Sequence, residues 1–119
     1  MRSFILSVSA DRHLTAIRNT VLAHAGYAVI PATSAQMAMQ MLEQRKVSAM
    51  VIGNSISSAE RRRLCVEGKK RGIPAVVLDQ YEIVVDSSLE VHVDPLDGPE
   101  IVLEAVAKVL GKSNGKADG

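Results

Sequence analysis

The sequence predicts an α/β fold, an open sheet wound on both faces by helices. Three observations predict it. Short apolar runs alternate with longer segments whose apolar residues recur at helical spacing. The apolar fraction of 47% is drawn from Val, Ala, Leu, Ile and Met, with no Trp and one Phe, the aliphatic and β-branched character of strands buried on both faces. A chain of 119 residues also suits one domain, which at this size buries roughly 65% of its unfolded surface around a single core.

The first strand is Phe4 to Val8, an apolar run too short for a signal-peptide core and followed by no clean cleavage region. Asp11 caps a helix whose apolar face comprises Leu14, Ile17, Val21, Leu22 and Ala25, and Gly26 supplies its left-handed stop. "YAVIPA" (27 to 32) is the second strand. Thr33 with Gln36 has the spacing of a capping box, opening a helix with Ala35, Ala38, Met41 and Leu42 on its buried stripe. The methionines there read as core filler.

"AMVI" (49 to 52) is the third strand, delivering Gly53, Asn54 and Ser55 to the edge where α/β proteins place their chemistry. Ser57 with Glu60 repeats the capping box, and a basic helix runs on to Gly72 and Pro74. "AVVL" (75 to 78) and "EVHV" (90 to 93) are the fourth and fifth strands. Only 11 residues separate Leu78 from Glu90, fewer than a right-handed crossover with a full helix needs, so the helix between them is short or absent. Pro99 opens the last helix, with Ile101, Val102, Ala105, Val106, Val109 and Leu110 on its apolar face. Residues 1–110 then form one domain, and the polar, Gly-rich residues 111–119 a disordered tail.

Net charge is +1, but the charges are segregated. Arg61, Arg62, Arg63, Lys69, Lys70 and Arg71 face one acid, Glu67, whereas Asp79 to Glu104 holds acids and no Lys or Arg. Opposite poles favour self-association or a charged partner. The basic helix lacks interleaved aromatics, a helix-turn-helix pattern and a strongly positive domain, so a solvated face outweighs nucleic-acid binding. No glycine fingerprint for a dinucleotide or P-loop occurs. The single cysteine, Cys65, fits a reducing, cytoplasmic location, and no apolar stretch reaches the ~20 residues of a membrane helix. No nucleophile is paired with a base, so catalysis is not expected. His13 reads as a solvent-facing first-turn residue and His92 as a residue of an edge strand.

The order of elements, with "ILSVSADRHL" (5 to 14), "AGYAVIPATS" (25 to 34) and "GIPAVVL" (72 to 78), resembles the receiver domain of bacterial two-component response regulators, of the chemotaxis-protein type. The resemblance covers residues 3 to 110. It implies a flavodoxin-like sheet of five parallel strands in the order 2-1-3-4-5 and, as chemistry, phosphoryl transfer to an aspartate. It also implies five positions, none of which keeps the family's functional group. The acidic pair that holds Mg²⁺ falls on Ser9 and Ala10, with Asp11 the nearest carboxylate, and the phosphoacceptor falls on Gly53. The Thr or Ser after the fourth strand becomes Asp79, and the Lys after the fifth becomes Asp94, just before Pro95.

Mg²⁺ prefers carboxylate oxygens, and a transferred phosphoryl needs a nucleophile plus positive charge. These positions supply neither, and a cation held by Asp11, Asp79 and Asp94 is disfavoured because the first strand is separated from the fourth and fifth. The resemblance therefore implies a pseudo-receiver with no cofactor, a stand-alone signalling module acting on a protein partner or as a homodimer. Tyr81, Ile83, Val84 and Val85, together with Arg61, Arg62 and Arg63, are its candidate contact residues. One alternative is a small molecule or ion bound at the carboxyl strand ends, with Gly53 allowing its close approach. A weaker one is nucleic acid on the basic helix.

Overall fold

The computed structural model describes residues 3–78, 90–94 and 98–114. Five strands, β1 (Phe4–Val8), β2 (Ala28–Ala32), β3 (Ala49–Ile52), β4 (Ala75–Leu78) and β5 (Glu90–Val93), form one sheet in the order β2-β1-β3-β4-β5. Every pairing is parallel. Four helices are described: α1 (Arg12–His24), α2 (Ala35–Gln44), α3 (Ser58–Arg71) and α4 (Pro99–Asn114). All five strands and their order agree with the sequence reading. The helix expected between β4 and β5 falls on residues 79–89, outside the described residues.

Strand alternation splits the core in two. Leu6, Val8, Met50, Ile52 and Val77 pack with Ala38 and Leu42 of α2 and Leu64 and Cys65 of α3. Ile5, Val51, Val76 and Val93 pack with Leu22 of α1 and Val102, Val106 and Val109 of α4. The inner strands are thus covered on both sides, which is why they are continuous apolar runs without polar alternation. β2 is an outer strand. Ala28 N–H donates to Ser3 O and Ala32 O accepts from Ser9 N–H, so both face β1, and the exposed Pro31 between them turns its backbone nitrogen to the open edge.

Helix ends follow local chemistry. On α3 the Ser57 hydroxyl accepts from Glu60 N–H at 3.3 Å, one half of the expected capping box, and donates to the Glu60 carboxylate at 3.1 Å, where the box would have that carboxylate reach Ser57 N–H. Gly72 ends the helix at φ 70°, where Ile73 N–H closes back on Gly68 O at 2.7 Å. On α2 the cap is Ser34, not Thr33: the extended backbone of Ser34 carries its hydroxyl to Met37 N–H at 3.1 Å. Thr33 N–H instead meets the Met37 sulfur at 3.4 Å.

Two further expectations are corrected. On α1 Leu22 is buried and Val21 half-buried, but Ile17 is 57% exposed, Ala25 is exposed, and Arg18 is only 6% exposed. Adjacent helical residues lie roughly 100° apart, so turning Arg18 onto the sheet turns Ile17 away from it. The side chain of Leu14 lies outside the described residues. α4 also runs through Asn114, so residues 111–114 of the expected tail are helical, and 115–119 lie outside the described residues. Extending a helix already held by buried Val109 and Leu110 costs far less than starting one, which offsets the poor propensity of Gly111.

Candidate functional site at the carboxyl edge

β1, β3 and β5 bring Ser9, Gly53 and Asp94 to one end of the sheet, and the β1–α1 loop adds Ala10 and Asp11. Ser9 and Gly53 are buried, while Asp11 and Asp94 are half-buried. The backbone fixes their spacing: Ser9 N–H donates to Ala32 O at 3.0 Å and Gly53 N–H to Val8 O at 2.8 Å, carrying the ladder one residue past each strand.

A serine link occupies the centre. Ser9 Oγ and Ser55 Oγ lie 3.1 Å apart, Ser55 Oγ accepts from Ala10 N–H at 2.9 Å, and Ser9 Oγ accepts from Asp11 N–H at 3.1 Å. A Cβ placed on Gly53 would lie 3.2 Å from Ser9 Oγ and 3.3 Å from Val8 O. The room left by the glycine is therefore taken by protein. Among the described residues this link is built of neutral hydroxyls and backbone amides, with Asp11 and Asp94 the carboxylates at the same edge.

Asp11 is engaged locally. One carboxylate oxygen accepts from His13 N–H at 3.0 Å, the geometry of an N-cap on α1, and the exposed His13 presents its ring to solvent as expected. Among the described residues no cluster of three or more His, Cys, Asp or Glu can hold a metal ion. Asp79, Tyr81, Ile83, Val84 and Val85 lie outside the described residues.

The basic residues of α3 divide in role. Arg61 is half-buried and donates from Nη1 to Ile56 O at 2.7 Å and Asn54 O at 3.4 Å, bracing the loop that follows β3. Arg71 bonds Glu67 at 2.7 Å and Leu42 O at 3.1 Å, tying α3 to α2. Arg62 and Arg63 are exposed.

Two features were not anticipated. Lys69 Nζ lies 3.5 Å from Glu90, whose other oxygen contacts His92 Nε2 at 2.6 Å, so three titratable groups meet at the sheet edge. Arg18 donates to Ser7 Oγ at 3.0 Å beneath α1. Burial lowers its pKa to about 10, and its Nε has no acceptor among the described residues. The one sequence signal for this pair was a serine interrupting the apolar run of β1.

No family model matches the chain, and no curated protein matches it. Solved structures do. The CheY-like response regulator receiver domain of Methanospirillum hungatei is 18% identical, the match covering 98% of this chain and 99% of that one with a TM-score of 0.74. The signal receiver domain of an HD domain-containing protein from Pseudomonas fluorescens is 15% identical over 97% and 99% of the two chains, with a TM-score of 0.79. The chemotaxis response regulator CheY4 of Vibrio cholerae is 13% identical over 92% and 99%, with a TM-score of 0.74. At these identities the likeness establishes the fold, which is the receiver fold.

Proposed function

We propose that the chain is a receiver domain of two-component signalling whose output does not depend on phosphorylation at the family's aspartate position, and that it acts by binding a protein partner in the cytoplasm. The fold supports the receiver assignment. One observation carries the phosphorylation-independent part: at the end of β3, where the resemblance implies the phosphoacceptor, stands a buried Gly53 backed by Ser9. The neighbouring positions agree with it. Ser9 and Ala10 replace the acidic pair, and Asp94 replaces the lysine, adding negative charge where a phosphoryl oxygen would need a cation. A module with this chemistry transmits through shape and surface charge. Tyr81, Ile83, Val84 and Val85, with Arg62 and Arg63, are the residues we assign to the partner contact.

Intact-mass spectrometry after incubation with acetyl phosphate and Mg²⁺, beside a chemotaxis receiver as positive control, tests this reading. The expected result is no phosphoryl adduct under conditions that label the control. A stoichiometric adduct would overturn it and show where the chemistry had moved.

A further inference from the structure

α2 carries Met37, Met39 and Met41, and the three sulfurs do not share one environment. Met39 and Met41 are half-buried against the apolar cluster beneath α2 and α3, and Met50 of β3 lies wholly inside it. Met37 is 37% exposed. Its side chain folds back over the first turn of α2, where the sulfur accepts from Thr33 N–H at 3.4 Å and lies 3.8 Å from Thr33 Oγ1. Core filling does not account for that contact.

The arrangement is a capping box with sulfur in the place of an oxygen. Ser34 is the N-cap and its hydroxyl accepts from Met37 N–H at 3.1 Å, which makes Met37 the third helical residue, the position from which a glutamate or glutamine reaches back to a free amide. Here the amide reached is that of Thr33, one residue before the cap. A thioether is a weak acceptor, whereas its sulfoxide is polar and presents an oxygen. The corner between β2 and α2 lies at the β2 border, with β1 and β3 between it and the strands β4 and β5. Thr33 follows Ala32, whose carbonyl accepts from Ser9 N–H at 3.0 Å, so the corner adjoins the carboxyl edge.

We propose that Met37 is a peroxide-reactive modification site, and that its sulfoxide oxygen takes over the Thr33 amide and tightens the corner between β2 and α2. The oxidant is a hydroperoxide. A lone pair of the Met37 sulfur attacks one peroxide oxygen, the S–O bond forms as the O–O bond breaks, and the proton of the transferred hydroxyl passes to the departing oxygen, which leaves as water or an alcohol. Sulfur loses the electron pair that the peroxide gains. Exposure sets the selectivity: peroxide reaches Met37 in the folded chain, but reaches Met50, at 0% exposure, only when the fold opens. Rotation about the last side-chain torsions then turns the new oxygen to Thr33 N–H. The proposal does not rest on the receiver reading.

A time course with hydrogen peroxide on the full chain tests it, read by tandem mass spectrometry that places each added oxygen and by amide hydrogen exchange at Thr33. The expected result is that Met37 gains its oxygen at least about threefold faster than Met39, Met41 or Met50. In the chain oxidised at Met37 alone, exchange at Thr33 slows at least about twofold. M37Q, which supplies a carboxamide oxygen from the same position, slows it without peroxide, and M37L, which keeps the bulk and removes the acceptor, speeds it. Two results overturn the proposal. Oxidation of Met39, Met41 or Met50 at a rate within about threefold of Met37 means that no selective site exists. Thr33 exchange that is unchanged or faster after oxidation means that the sulfoxide oxygen stays in water and leaves the amide uncapped.

Discussion

Arg18 Nη2 donates to Ser7 Oγ at 3.0 Å, joining the buried face of α1 to the middle of β1 at a point where neither residue reaches solvent. The hydroxyl is a neutral partner for a full charge. Among the described residues no carboxylate pairs with Arg18, and its Nε has no acceptor. The structure therefore carries a desolvation cost at this point that an apolar side chain would remove.

Arg18→Met is expected to raise stability by about 1–3 kcal/mol, read as a higher midpoint in urea with an unchanged slope. Burial lowers the folded-state pKa to about 10, below the ordinary arginine value, so the folded state binds fewer protons only above that point. Stability rises with pH through that alkaline window, and the full cost persists below it. The gain from the substitution should then be constant between about pH 6 and pH 9. A gain that disappears towards pH 9 would contradict this account.

Gly68→Ala tests packing against propensity. In an exposed helix the change gains about 1 kcal/mol. Here the added Cβ would lie 2.7 Å from Met50 Cε and 2.8 Å from Ile73 O. The methionine end can swing aside, but the Ile73 carbonyl is backbone, on the residue whose N–H closes α3 by donating to Gly68 O. A net loss of about 1–3 kcal/mol is expected in thermal unfolding, and Met50→Ala should not rescue it.

Gly53→Ala and Ser9→Ala are expected to couple. The alanine Cβ at 53 crowds Ser9 Oγ at 3.2 Å, for a loss of about 1 kcal/mol, and removing the hydroxyl relieves that crowding. A double-mutant cycle should give a coupling energy of about 0.5 kcal/mol or more. Strict additivity would mean that the two residues do not share the space.

Asp11→Ala should lower stability by about 1 kcal/mol through loss of the cap on His13 N–H. Mg²⁺ at millimolar concentration should leave the melting temperature of the parent chain unchanged, because a ligand bound only by the folded state would raise it. A Mg²⁺-dependent rise that Asp11→Ala abolishes would reassign Asp11 as a cation ligand.

The strands were legible because "FILSV", "AMVI" and "AVVL" lack polar alternation, a pattern that a sheet covered on both faces produces and few other structures do. Gly53 was legible as the residue that follows β3 because the apolar run ends at Ile52; only the resemblance makes it the phosphoacceptor position. The α1 face was not, because periodicity assigns charged residues to solvent and Arg18 violates that rule with the help of Ser7. The Ser9–Ser55 link joins hydroxyls 46 residues apart, and the contact of Lys69 with Glu90 spans an α3-to-β5 approach. Neither distance is encoded in local spacing. The cap of α2 moved by one residue because Thr33 and Ser34 both suit the role, and only the backbone angles choose between them.

Pro31 carries one more consequence. Its nitrogen faces outward from β2 and bears no hydrogen, so an incoming strand finds Val29 as the only central amide on that border. The opposite border, β5, is four residues long and places Glu90 and His92 along it. Among the described residues Pro31 thereby blunts the β2 border against extension by another strand, and with it against fibre-like growth from that side.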